Sequence, residues 1–374
     1  MRVAINTRFL LPGPLEGIGR FTLEVSRRLV ERHPDWDFLF LFDRPYDKRY
    51  ILGPNVRPIV VSPPARHPIL FYLWFEWAVP KVLKKNKADV FFSPDNFGSL
   101  RAPCPTLIVC HDLAFHYYPD QVKWSENLYY QNFILRYFKK ASHLLAVSEY
   151  TQQDMLKTYG LPPEKVSVTC NAADESFQPL ETSQIHSVRE QYSAGQPYFF
   201  YVGSIHPRKN IARLIKAFDR FKRATLAPAK LLLAGRMAWQ TGEVKAALQQ
   251  LTHPNDIVFL GYVPDEQLPD LLGASLALTY VSLFEGFGVP ILEAMHTNVP
   301  VITANRSSMP EVAGDAALLV DPESEHEIAQ AMQQIWEDES LREDLIGKGK
   351  LQRERFSWER AVDVVETALW KCKM

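Results

Sequence analysis

The sequence predicts an α/β protein built from two doubly wound parallel sheets, and three observations predict it. Apolar runs of strand length alternate with amphipathic stretches at helical spacing along the whole chain. Glycine- and proline-rich turns stand where a parallel strand would hand over to its crossover helix. A chain of 374 residues also exceeds what one hydrophobic core supports, so two domains are the natural division.

Composition narrows the class. With 47% hydrophobic and 23% charged residues, the chain has the make-up of an ordinary globular protein of the aqueous phase. A net charge of -1 gives no reason to expect nucleic acid as a partner. Cys104, Cys110, Cys170 and Cys372 show no C-x-x-C pairing, and a reducing cytoplasm with free thiols is expected. Met1 leads directly into a strand, and no apolar run reaches the ~20 residues that cross a bilayer.

In the first half, residues 2–6 alternate as a strand. A proline- and glycine-rich loop, 11–19, precedes a helix starting near Arg20, with Phe21, Val25, Leu29 and Val30 on one side. Gly17-Ile18-Gly19 has the form of a phosphate-approach turn, without the third glycine of the dinucleotide fingerprint. Strands are expected at 38–42, 89–93, 106–110 and 144–147. Ligands of such sheets bind beyond the C-terminal strand ends, where His111 and Asp112 stand after T-L-I-V-C. A histidine there either packs or serves a site. Ser148 has the spacing of an N-cap for the helix that Thr151 enters.

Residues 67–87 crowd aromatics into one part and place Lys81, Lys84, Lys85 and Lys87 at the end. Two readings fit: an amphipathic segment lying on a membrane surface, and a core-facing helix with a solvated basic end.

Residues 178–196 are polar and irregular and read as the linker, which sets the domains at 1–178 and 179–356. A strand at 197–202 opens the second domain and ends in G-S-I-H-P-R-K-N, 203–210, before an amphipathic helix at 211–223. Arg208 and Lys209 therefore stand at a strand-to-helix turn, where cations reinforce backbone N–H groups in holding phosphate. The plain alternative is a solvated basic turn. Further strands are expected at 230–235 and 257–260, the second leading into Gly261-Tyr262-Val263-Pro264. Strands at 299–304 and 317–320 flank the turn N-R-S-S-M-P-E, and a last helix, 357–370, opens with S-W-E-R.

The most informative stretch is 282–295, S-L-F-E-G-F-G-V-P-I-L-E-A-M, which follows a buried strand at 274–281. Glu285, Gly286, Phe287 and Gly288 make the turn, and Pro290 sits where a helix begins. The glycines let the backbone approach a ligand, and the exposed N–H donors and helix dipole favour an anion. Glu285 lies on the loop and Glu293, eight residues on, lies in the helix. N–H groups for phosphate and carboxylates for hydroxyls suit a nucleotide sugar. Taken singly, such turns are common in α/β proteins, and a glutamate near a helix start often only complements the dipole.

As a whole, E-G-F-G-V-P-I-L-E-A-M resembles the signature of retaining glycosyltransferases with the GT-B fold, specifically glycosyltransferase family 4. The P-R-K-N turn resembles a subgroup with many mannosyltransferases. The resemblance extends over essentially the whole chain and is strongest in the second half. It implies two Rossmann-like domains facing a cleft, with the C-terminal helix, 357–374, crossing back onto the first domain. It implies His111 against the transferred sugar and Glu285 at a sugar hydroxyl near the reacting carbon. Gly17, Gly19, Arg208, Lys209, Val263, Gly286, Phe287, Gly288 and Glu293 are implied as donor-binding, with Glu293 on the ribose and the backbone around Val263 on the nucleobase. One departure is Ser204, which stands where many relatives carry the arginine of G-R-x-x-x-x-K-G, and this puts its replacement by Arg208 in question.

The resemblance further implies a nucleotide diphosphate sugar as substrate, GDP-mannose before UDP-glucose, with no cofactor and no metal. The acceptor would be a glycan or lipid-linked hydroxyl in cell-surface polysaccharide or glycolipid biosynthesis. The enzyme would be cytoplasmic, with peripheral contact to the inner face of the membrane through 67–87. A sugar-nucleotide epimerase of the same fold, and a catalytically silent donor-binding scaffold, stand as alternatives.

Overall fold

A computed structural model of the chain describes residues 1–237 and 242–373. It divides into two compact units, each built on a wholly parallel sheet: Met1–Asn171 together with the chain from Trp358 onward, and Ala172–Ser357.

The first unit has seven strands in the order β3-β2-β1-β4-β5-β6-β7. They are β1 (Arg2–Asn6), β2 (Asp37–Phe42), β3 (Val56–Val60), β4 (Val90–Ser93), β5 (Thr106–Cys110), β6 (His143–Ala146) and β7 (Val166–Val168). The order reverses between β1 and β4, which pair in register Val3 to Val90 through Ile5 to Phe92. Strands β4, β5 and β6 are buried along their length, as a parallel sheet covered on both faces requires. The edge strands β3 and β7 were not anticipated. One carries Pro58 and an exposed Arg57, and the other is three residues long, so neither shows an apolar strand pattern.

The helix Gly17–Arg32 buries Phe21, Val25 and Leu29 and begins at Gly17, ahead of the start expected near Arg20. The last helix, Trp358–Lys373, lies beside it. Arg28 Nε pairs with Glu359 at 2.8 Å, and Arg32 pairs with Glu359 and, at 2.6 Å, with Asp363. Thr169 Oγ1 also donates to the Ala361 carbonyl at 3.3 Å. The C-terminal helix is thus part of the first unit.

Residues 67–87 form the helix Pro68–Leu73, a π-helical turn Trp74–Ala78 and the helix Val79–Lys85. Phe71, Trp74, Phe75, Val79 and Leu83 are buried in the core, so the core-facing reading holds for most of the aromatics. Ile69, Leu73 and Trp77 remain exposed, as do all four lysines. Among the described residues, no helix is long and apolar enough to cross a membrane.

The second unit has six strands in the order β10-β9-β8-β11-β12-β13. They are β8 (Tyr198–Val202), β9 (Lys230–Ala234), β10 (Ile257–Gly261), β11 (Ala277–Tyr280), β12 (Val301–Ala304) and β13 (Ala317–Val320). Here the order reverses between β8 and β11. The helix Ile211–Thr225 covers the sheet with Leu214, Ile215, Phe218 and Phe221. The stretch read as an irregular linker contains a helix, Thr182–Ser193, and the division between units falls earlier, at Asn171. That helix buries only Ser193, which removes the apolar periodicity a sequence reading needs. A capping box holds its start, with Glu181 N donating to Gln184 Oε1 at 2.9 Å, and Arg189 Nε donates to the Ala274 carbonyl at 2.9 Å.

Candidate functional site

In the second unit, Val263 follows the edge strand β10, whereas Arg208, Lys209 and Glu285 meet where the strand order reverses, between β8 and β11. Ligands of open parallel sheets bind at that point, beyond the C-terminal strand ends. After β8 the chain turns through Pro207–Lys209, and Asn210, at φ 64°, starts the helix Ile211–Thr225. Asparagine tolerates this left-handed conformation better than most side chains. Its amide donates to the carbonyls of Val281 at 3.0 Å and Pro322 at 2.6 Å, fastening the turn to the ends of two other strands.

This fastening places both cations. Lys209 Nζ donates to Glu285 Oε1 at 2.6 Å and to the Tyr280 hydroxyl at 2.9 Å. Arg208 Nη1 donates to Glu285 Oε2 at 3.2 Å and to the Phe284 carbonyl. Burial pushes the Glu285 carboxyl up, but Lys209 and Arg208 outweigh it and hold the group at about 2. The carboxylate is therefore ionised throughout the neutral range and cannot donate a proton there.

The turn around Glu285 is held from the loop after β12. Ser307 Oγ accepts from the Glu285 amide at 3.0 Å, and Ser308 Oγ donates to the carbonyls of Glu285 at 2.9 Å and Phe287 at 2.8 Å. Gly286, Phe287 and Gly288 are all buried. Gly288 has φ +105°, a conformation side chains rarely adopt, and precedes the helix Val289–His296, with Pro290 in its first turn. Glu293 is buried on that helix, and Val263 is buried just beyond β10. Sequence reasoning missed Tyr280, Asn210, Ser307 and Ser308 as site-shaping residues. Tyr280 ends the buried strand β11, and the polar turns that carry the other three were visible, but their partners lie far along the chain.

The first unit holds the remaining candidates. His111 follows β5, with its amide donating to Asn96 Oδ1 at 2.9 Å and its ring edge-on to Phe21 at 5.2 Å. Its Nε2 lies 2.9 Å from the Pro94 carbonyl, which only accepts, so Nε2 carries the proton and Nδ1 the lone pair. Burial lowers the imidazole pKa, and the ring is neutral at pH 7. Gly17 and Gly19 lie in the first turn of a helix rather than on a loop before it. A Cβ at Gly19 would come within 2.7 Å of the Phe9 carbonyl, so close packing explains that glycine directly. Among the described residues, no group of three or more His, Cys, Asp or Glu is placed to hold a metal ion.

Known proteins resemble the chain in both halves. Residues 15–177 match the family described as Glycosyltransferase Family 4, and residues 184–352 match Glycosyl transferases group 1. The chain is 29% identical over 369 residues to the O-antigen chain mannosyltransferase B of Escherichia coli, covering 92% of this chain and 93% of that protein. It is 28% identical over 286 residues to the O-antigen chain mannosyltransferase RfbU of Salmonella typhimurium, covering 75% of each. Among solved structures, HepE of Anabaena in complex with UDP and glucose superposes with a TM-score of 0.77 at 20% identity, covering 99% of both chains. With one family matched in each half and a parallel sheet in each unit, the chain belongs to the family 4, group 1 glycosyltransferases of the GT-B fold.

Proposed function

We propose that this glycosyltransferase moves a hexose from a nucleotide diphosphate sugar to a hydroxyl of a glycan or lipid-linked acceptor, with retention at the anomeric carbon. The pathway would be assembly of a cell-surface polysaccharide or glycolipid, as the names of the O-antigen relatives suggest. GDP-mannose is the favoured donor, in line with the mannosyltransferase relatives. UDP-glucose comes next.

The observation that carries the reading is the pairing of half-buried Arg208 and Lys209 with buried Glu285 where the strand order reverses. The two cations and the backbone N–H groups around Gly286 and Gly288 would stabilise the diphosphate as it leaves, without a bound metal. Glu285, fixed as an anion, would accept a hydrogen bond from a sugar hydroxyl near the reacting carbon. Glu293 would meet the ribose, Val263 the base, and His111 the transferred sugar. In the reaction, the bond from the anomeric carbon to the diphosphate oxygen breaks and the acceptor oxygen bonds that carbon on the same face. The acceptor proton passes to the departing phosphate oxygen. Incubation of purified protein with a panel of nucleotide sugars, with and without glycan acceptors, tests the reading. Donor hydrolysis and transfer identify a transferase and its donor. Epimerised donor, or no turnover with retained binding, would replace it with one of the alternatives.

A peripheral membrane contact belongs to the same proposal. Ile69, Leu73 and Trp77 recur every four residues as an exposed apolar strip, and Trp124, 79% exposed, and Leu128 are exposed on the helix Trp124–Lys140. The two segments touch through Phe71 against Tyr129 and Tyr72 against Phe133. Exposed Lys81, Lys84, Lys85 and Lys87 follow the strip in the same segment and exposed Lys123 precedes Trp124, a charge complementary to anionic lipid headgroups.

A further inference from the structure

The first sheet has its own reversal of strand order, and a buried pair of opposite charge stands there. Arg8 follows β1 and Asp95 follows β4, the two strands between which the order turns. Arg208 and Lys209 follow β8, and Glu285 follows β11, in the same relation within the other sheet. A cation after the inner strand and a carboxylate after its neighbour thus mark both reversals.

Asp95 is 1% exposed and saturated. Its Oδ2 accepts from Arg8 Nε at 2.7 Å and Asn6 Nδ2 at 3.0 Å, and its Oδ1 accepts from the Phe97 amide at 3.0 Å and Ser93 Oγ at 3.1 Å. Four donors fill what one carboxylate accepts, so Asp95 anchors Arg8 and takes no ligand itself. Arg8 is 6% exposed, and its guanidinium carbon lies 4.6 Å from the Phe9 ring centre and 4.5 Å from that of Phe97. Phe71 and Phe75 lie at 5.3 Å, and Phe75 is carried by the π-helical turn Trp74–Ala78, a distortion frequent at functional sites. The guanidinium is therefore fixed at Nε and walled by aromatic rings. Its terminal nitrogens make no hydrogen bond to any described residue.

The terminal N–H groups keep a narrow opening to solvent, so ligand oxygens can reach a fork that is already held in place. Asp95 already balances the charge, so a second anion would leave this interior net negative. A neutral sugar supplies lone pairs to the fork and an apolar ring face to the half-buried Phe9, and leaves the balance intact. We propose that Arg8 is an acceptor-binding residue, its terminal N–H groups holding the hydroxyls of a neutral sugar ring of the glycan acceptor. This rests on the transferase reading for the word acceptor, but not for the binding itself.

Saturation-transfer NMR on the full chain, with methyl α-glycosides of mannose, glucose, galactose and N-acetylglucosamine as probes, reads the site without donor or turnover. Wild-type protein is expected to bind at least one of them. Arg8→Lys keeps the charge beside Asp95 but loses the planar fork, and is expected to bind at least about tenfold more weakly. Thermal melts accompany each variant; if Arg8→Lys does not fold, Phe9→Leu, at the half-buried ring, is expected to show a loss of the same sign. Binding to none of these glycosides, or equal binding by wild type and folded variants, overturns the assignment. Displacement of the glycoside by inorganic phosphate overturns it too, because the fork would then be an oxyanion site. A glycoside signal that depends on Arg8, in a protein that turns over no nucleotide sugar, would leave this site standing and defeat only the transferase reading.

Discussion

Lys209 Nζ lies 2.6 Å from Glu285 Oε1 across the strand-order reversal of the second sheet, and this contact sets the charge state of the site. The folded-state pKa of Glu285, about 2, lies below its ordinary 4.5. The stabilisation is therefore complete above pH 4.5 and is lost as pH falls toward about 2. A shift of this size is on the order of 3 kcal/mol. Glu285→Gln removes the titration and leaves both cations without their counter-charge. The variant should be the less stable at neutral pH, and its urea midpoint should converge with that of wild type toward the acid end. Parallel midpoint curves would show that the ion pair contributes nothing to folding.

Donor anchoring gives the next expectation. Lys209→Ala should cost roughly 1.5–3 kcal/mol of nucleoside diphosphate binding, about ten- to a hundredfold in affinity. Arg208→Ala should also weaken binding, and by more than in relatives that carry an arginine at the position of Ser204. Calorimetric titration of GDP and UDP into the folded variants measures both. Unchanged affinity in Lys209→Ala would remove that residue from the donor site.

Much of this was legible in the sequence. The inner strands β1, β4, β5, β8 and β12 are apolar runs closed by turns, because a parallel sheet buried on both faces leaves room for little else. Edge strands β3 and β7 escaped because an edge tolerates Pro58 and a three-residue length. The stretch from Glu285 to Glu293 was readable as a unit because a close turn and a helix start constrain neighbouring residues together. What stayed hidden was long-range. Nothing near Arg8 or Asp95 in the chain announces that they meet, since 87 positions separate them and only the strand order brings them together. The tie of Asn210 to Pro322, 112 positions away, was hidden for the same reason.

The membrane contact predicts a separable loss. Each lysine near an anionic surface is worth about 1 kcal/mol, so replacing Lys84, Lys85 and Lys87 with glutamate should abolish sedimentation with vesicles containing phosphatidylserine. Trp77→Ser should weaken it by removing an exposed ring of the apolar strip, and with it the seat of the Arg101 guanidinium at 4.0 Å. Turnover of a soluble acceptor should be retained in both, because these side chains lie on the exposed face. Wild-type protein that never sediments with vesicles would end the idea.

The two carboxylates of the stretch Glu285–Glu293 should separate in kinetics. Glu285 stands on the loop, ionised and held by Lys209 and Arg208, whereas Glu293 is carried on the following helix. A charge near the reacting carbon interacts more strongly as positive charge develops there, so its loss lowers kcat. A ribose contact is alike in ground and transition states, so its loss raises KM for the donor. Glu285→Gln should therefore cut kcat at least about a hundredfold, the size of one lost electrostatic contact. Glu293→Gln should raise donor KM while changing kcat by less than about threefold. Because Glu285 also neutralises two cations, its replacement should alter donor affinity as well, and the kcat term is the discriminating one. If both residues only stabilise a helix start, both variants would melt earlier and keep wild-type kinetics. Steady-state rates on folded protein, checked by thermal melts, decide between these outcomes, and a reversed pattern would exchange the two roles.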